Sequence, residues 1–133
     1  MLLKFPYVSR GGIYRPVIPV SFPFSGGGRF VTDGLIDSGA PWCLFPGHVA
    51  TVLGHNTPKG RQPHRMIIGG SQVLSYLHKT KVWLGGKNFL WDIYFSHDID
   101  DWEFGILGQE PFFSNFQVTF SYPKKEILLE PCL

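Results

Sequence analysis

Glycine and proline interrupt this chain so often that few long regular elements fit between them. Glycines cluster at Gly11-Gly12, Gly26-Gly27-Gly28, Gly69-Gly70 and Gly85-Gly86, and residues 54–63 form a further polar stretch with glycine and proline. What remains is mostly short runs. Gly 16 and Pro 11 in 133 residues, with aromatics at 16%, favour short strands joined by tight turns over long helices. The expectation is a mainly β protein.

The runs can be read individually. Residues 30–36 and 72–84 have the β-branched and aromatic content of strands, and residues 116–122 alternate, with Phe116, Val118 and Phe120 on one face. Residues 13–22 are also strand-like, but Pro16 and Pro19 remove two ladder donors and push that segment to an edge or into irregular structure. Two short helices are expected. Residues 46–53 have Pro46 for the first turn and Gly54 for the stop, and residues 109–115 form the second candidate. The loop 54–63 is expected to be exposed.

Length and composition bound the rest. A chain of 133 residues with 44% apolar and 17% charged residues suits one globular domain spanning residues 1–133, with no second lobe. The net charge is only +2 and the basic residues are dispersed, the densest groups being Lys79/Lys81 and Lys124/Lys125, so no nucleic-acid partner is indicated. Cys43 and Cys132 cannot make a disulfide framework, which fits a reducing compartment, and no apolar stretch approaches a membrane span. A cytoplasmic protein is expected.

Two segments carry candidate chemistry. Gly34-Leu35-Ile36-Asp37-Ser38-Gly39-Ala40 places an acid directly after an apolar strand, where a carboxylate is costly unless paired, hydrogen-bonded or used. A tight turn would explain Ser38 and Gly39 without catalysis. About seventy residues on, Phe104-Gly105-Ile106-Leu107-Gly108 joins a short apolar strand to a glycine.

Together and in this order, the two segments resemble the retropepsin-like aspartic proteases, the family of retroviral proteases and their bacterial and cellular relatives. Asp37, Ser38, Gly39 and Ala40 match that family's Asp-(Thr/Ser)-Gly-Ala, and Ile106, Leu107 and Gly108 match its two apolar residues and glycine before a short helix. Residues 115–131 look like its closing hairpin and terminal strand. The resemblance covers roughly residues 13–131 and implies a single-domain acid-protease barrel with one or two short helices, working as a two-fold homodimer. It also implies a glycine-tipped hairpin flap over the substrate, for which residues 65–72 are the candidate. Asp37, Ser38 and Gly39 would be catalytic, and Ala40, Trp42, Ile68, Gly69, Gly70 and Ser71 would bind substrate. One departure stands out: retroviral members usually carry acidic residues where this chain has Pro41 and Trp42. Trp42 could wall an apolar subsite or be a buried structural aromatic, and Cys43 reads as a small buried side chain.

Only one Asp-Ser-Gly is present, while the chemistry needs two carboxylates sharing a proton, so the resemblance implies that a second subunit supplies the other. Residues 1–5 and 127–133 would then meet at the dimer base, with Leu128, Leu129 and Cys132 in the interface. The implied reaction is hydrolysis of a peptide or protein substrate by an activated water, with no cofactor and no metal. His48, His55, His64, His78 and His97 fit no metal-ligand spacing, and the chain has neither a Gly-x-Ser-x-Gly elbow nor a phosphate-binding loop. The competing reading is a retropepsin-like module that binds peptide or dimerises with little turnover.

Overall fold

The computed structural model describes residues 1–56 and 61–132. Its strands are β1 (Leu3–Pro6), β2 (Val8–Arg10), β3 (Ile13–Arg15), β4 (Val17–Pro23), β5 (Arg29–Ile36), β6 (Leu44–Pro46), β7 (Arg61–Ile68), β8 (Ser71–Leu84), β9 (Lys87–Ser96), β10 (Gly105–Leu107), β11 (Phe116–Ser121) and β12 (Glu126–Pro131). Among the described residues, one short helix, α1 (Gly47–Val52), and a 3-10 turn, His97–Ile99, complete the regular structure. The protein is mainly β, as its turn content dictates. No helix among the described residues is long and apolar enough to cross a membrane.

The glycine pairs make the hairpins. Gly11-Gly12, Gly69-Gly70 and Gly85-Gly86 all have positive φ at both residues, and each pair joins two antiparallel strands whose last partners flank it: Arg10↔Ile13, Ile68↔Ser71 and Leu84↔Lys87. Two successive positive φ values match the right-handed twist of the flanking strands and are readily adopted by glycine. These turns set the register of the five strands they join, β2, β3, β7, β8 and β9.

The strands form a seven-stranded sheet in the order β4-β5-β10-β6-β9-β8-β7, a three-stranded sheet β1-β12-β11, and the hairpin β2-β3. One further pair, Ser21↔Trp83, brings β4 back to β8. Pro16 splits residues 13–22 into β3 and β4, and β4 lies at the end of the sheet's order, where the ladder donor missing at Pro19 is least costly. The core gathers Ile18, Val20 and Phe22 of β4 with Phe45, Ile93, Phe95 and Leu107, all fully buried. Burying each such side chain is worth about 1.5–3 kcal/mol.

Three expectations need correction. Residues 109–115 are a string of hydrogen-bonded turns, not a helix. Pro111 has no N–H to donate and disfavours helical backbone at Glu110, which instead bridges to Trp42. In β11, Phe116 is buried and Val118 half-buried, but Phe120 is 43% exposed although its cross-strand partner Ile127 is fully buried. Leu129 is fully buried in its own protomer, and β12 is paired on both edges, with β1 and with β11. Leu129 therefore offers no side chain to an interface, and the β12 backbone is already paired on both sides, whereas β1 and β11 each have an outer edge in this sheet. Leu128 is half-buried and Cys132 exposed. Of the loop 54–63, residues 57–60 lie outside the described residues, as does Leu133, while 61–63 begin β7.

A pair of histidines ties α1 to the sheet. His55, just after α1, stacks on His78 of β8 at 4.7 Å with an interplanar angle of 16°, and both rings lie against Phe95. Burial lowers both imidazoles below their ordinary value of 6.5, and the His55 charge adds to the effect on His78. The unfolded chain therefore binds protons more readily than the folded one just below 6.5, and stability falls as pH drops through that value, levelling only once the folded pair is also protonated. Thermal melts at pH 7.5 and 5.5 are expected to show a lower Tm at the acid pH, and His78→Leu is expected to shrink the difference.

Candidate active site

The end of β5 is held by β10, Gly34↔Gly105, Leu35↔Ile106 and Ile36↔Leu107 in parallel, so the two motifs seventy residues apart in sequence lie side by side. Asp37 is the first residue past the sheet. Its N–H donates to the Leu107 carbonyl at 3.0 Å, which continues the ladder by one residue and fixes where the carboxylate emerges. The Asp37 carbonyl accepts from the Ala40 N–H at 3.2 Å, and its Oδ1 accepts from the Gly39 N–H at 3.0 Å. The acid is thus oriented by its own turn.

A second layer of backbone bonds clamps that turn. The N–H groups of Gln109 and Glu110 donate to the carbonyls of Ala40 and Pro41 at 2.8 and 3.0 Å, and the Cys43 N–H donates to the Glu110 carbonyl at 3.0 Å. The Gln109 side-chain amide adds a bond to the Ser38 carbonyl at 2.9 Å. Cys43 beneath is fully buried, and burial pushes its thiol up to about 12, with the Glu110 charge adding to the rise and the N–H groups of Gly108 and Phe112 opposing it. It stays a neutral thiol at physiological pH and is no nucleophile.

A cavity of about 340 Å³ opens at Asp37. Its floor is Asp37, Gly39, Ala40, Pro41, Trp42, Leu44 and Ile106, and its roof is His64, Met66, Ile67, Ile68 and Gly69 from the β7–β8 hairpin. Six expected residues, Asp37, Gly39, Ala40, Trp42, Ile68 and Gly69, therefore share one cavity. Ser38, Gly70 and Ser71 do not line it. Ser38 is exposed beside the turn, and Gly70 and Ser71 are exposed at the hairpin tip. The lining residues missed from the sequence were His64, Pro41, Leu44 and Ile106, while Met66 and Ile67 were expected only as part of the hairpin 65–72. The two-residue period of β7, counted back from Ile68, would have found Met66 and His64. Trp42 is not a buried structural aromatic: it is 39% exposed, with its ring 5.9 Å from that of Tyr94.

The hairpin is anchored at its base. Val73, Leu44, Ile99 and Ile106 form a buried cluster, against which Met66, Ile68 and Ala40 pack. Beyond Tyr76, the last β8 residue paired with β9, the Leu74 N–H donates to Asp98 Oδ2 at 2.9 Å. Asp98 is the middle residue of the 3-10 turn, and Asp100, which caps its end, accepts from the His48 N–H at the start of α1 at 2.9 Å. One turn thus holds both the hairpin and α1. Asp98→Ala is expected to raise hydrogen exchange at the Leu74 amide by about tenfold while leaving core amides unchanged, since a charge-assisted bond of this kind contributes about 1.5 kcal/mol. Unchanged exchange at Leu74 would show that Asp98 does not restrain the hairpin.

Comparison with solved structures places this architecture. A retropepsin-like aspartic protease from Rickettsia conorii superposes with a TM-score of 0.68 at 15% sequence identity, covering 97% of this chain and 98% of that one. EIAV protease, solved in complex with the inhibitor HBY-793, superposes with a TM-score of 0.57 at 16% identity, covering 80% of this chain and 93% of that one. No protein-family model matches the sequence, and no curated protein matches it. The chain has a retropepsin-like fold, and both of these structural neighbours are aspartic proteases.

Proposed function

We propose that the protein is an aspartic endopeptidase whose reacting centre is formed by Asp37 from two copies of the chain. The observation that carries this reading is the Asp37 carboxylate itself. It is held by the Gly39 N–H at the end of a sheet strand, opens into a peptide-sized cavity roofed by a glycine-tipped hairpin, and is the one carboxylate among the described lining residues. A single carboxylate cannot both accept a proton from water and donate one to the scissile carbonyl. A two-fold partner placing its own Asp37 opposite completes the pair with one operation.

In that pair one proton is shared, because two like charges a few ångströms apart are costly. The ionised Asp37 takes a proton from a bridging water, which attacks the peptide carbonyl, while the protonated Asp37 of the other subunit gives its proton to the carbonyl oxygen. The proton taken from water then passes to the amide nitrogen as the C–N bond breaks, and the second carboxylate recovers its proton from the collapsing intermediate. Ser38 and the backbone at Gly39 orient the carboxylates. Ala40, Trp42, Ile68 and Gly69 hold the substrate, and Gly70 and Ser71 at the tip let the hairpin open and close as a flap.

The test is cleavage of a mixed peptide library from about pH 4 to pH 7 by the wild type and by Asp37→Asn. The expected result is cleavage by the wild type and a loss of at least about a hundredfold in the variant. Cleavage by Asp37→Asn at the wild-type rate would remove Asp37 from the reaction. No cleavage by a wild type shown to be a folded dimer would favour the binding-module reading.

A further inference from the structure

A second cavity, of about 520 Å³, lies on the other side of Trp42. Trp42 lines both cavities, and Tyr94 stands with it, its ring 5.9 Å from Trp42 and 5.4 Å from His64 of the hairpin roof. Trp42, 39% exposed, is thus a wall common to both spaces, and the second cavity adjoins the one at Asp37.

The second cavity is built around a strand edge. β9 is paired with β8 from Lys87 to Phe95, but on its other side β6 reaches it only at Tyr94–Ser96. The stretch ahead of Tyr94 therefore presents an unextended edge to the cavity, with Leu90 61% exposed, opposite Pro111 and Asn115. Such an edge is a template for an extended peptide, which gains main-chain hydrogen bonds from the strand and side-chain selectivity from the walls.

The walls carry two acids, Asp92 and Glu110, and no Lys, Arg or His lines the cavity among its described residues; Asp92 is already engaged by a cation, so the acid that gives the wall its sign is Glu110. Asp92 pairs at 3.2 Å with Lys79, whereas Glu110 accepts from the Ser114 hydroxyl at 2.8 Å. A carboxylate beside the faces of Trp42 and Tyr94 suits Lys or Arg, whose apolar stem covers the ring while its cation meets the acid.

The geometry points to a distal subsite in this cavity, which takes the extended end of the polypeptide held over Asp37 and prefers Lys or Arg there. The occupant's identity rests on the peptidase reading; the subsite's charge preference does not require turnover.

The test uses Asp37→Asn protein, which does not cut its ligand, and fluorescein-labelled peptides read by anisotropy. The probes are Ala-Val-Phe-Leu-Ala-Val alone, and the same stretch with Gly-Lys-Gly-Lys or Gly-Glu-Gly-Glu at either terminus. The Lys-tailed peptide is expected to bind about fivefold tighter than the Glu-tailed one, with the difference lost in Glu110→Gln and reversed in Glu110→Lys. Equal binding of both tails, no binding of either, or a preference unchanged by Glu110→Lys would overturn the subsite. Wild-type protein separates this outcome from failure of the peptidase reading. Cleavage of the peptides without tail preference removes the subsite and keeps the peptidase, whereas tail preference without cleavage keeps the subsite and removes the peptidase.

Discussion

Mixed with about four equivalents of Asp37→Asn protein, wild-type chains are expected to retain about one fifth of their peptide-cleaving rate if subunits pair at random. The argument is one of counting and charge. Each active centre needs one ionised and one protonated carboxylate, and an amide at either position can neither take the proton from water nor share one. A variant that folds and pairs normally should therefore sequester wild-type partners in dead heterodimers. The substitution is mild, since Asn keeps the shape of Asp and an amide oxygen can still accept from the Gly39 N–H that Oδ1 now engages at 3.0 Å. Subunit exchange before assay is essential, because a slow-exchanging dimer would preserve wild-type pairs. A rate untouched after exchange, followed by mixed isotope-labelled subunits in native mass spectrometry, would mean that one Asp37 suffices and the two-carboxylate mechanism is wrong. A dimer that dissociates on dilution would also make the specific rate fall with concentration.

The same residues show what could be read ahead of the structure. Strand boundaries at the Gly-Gly pairs were legible because two successive positive φ values restrict the turn to residues without a side-chain penalty, so Gly69-Gly70 announced the hairpin over the site. The meeting of Asp37 with Leu107 was legible only through the motif resemblance, because a parallel contact across seventy residues leaves no local periodicity. Residues 109–115 misled because the resemblance implies a short helix after Gly108, while Pro111 and the Glu110 bridge to Trp42 forbid one. Leu129 misled for another reason: an apolar side chain carries no mark of whether its own core or a partner covers it. The 3-10 turn at His97–Ile99, whose Asp98 holds the hairpin base, is too short to leave any pattern.

Gly108→Ala is expected to lower stability by about 3 kcal/mol, or roughly 10 °C in Tm, and to reduce cleavage further than the melt alone explains. A Cβ on Gly108 would overlap the Trp42 carbonyl oxygen and lie 2.6 Å from that of Ala40. Both obstacles are backbone, so neither can turn aside as a side chain would. Relief requires the 108–110 segment to move away from residues 40–43, and that movement breaks the bonds from Gln109 and Glu110 to Ala40 and Pro41 and from Cys43 to Glu110. Those bonds clamp the turn that orients Asp37, so the displacement reaches the carboxylate as well as the core. Gly26→Ala is the matched control, because its Cβ would meet nothing within 4 Å and its φ is not in the left-handed region. That variant is expected to melt and cleave like the wild type. A Gly108→Ala protein with unchanged Tm and unchanged cleavage would show that the clamp yields without cost, and that the close approach of the two motif segments does not position Asp37.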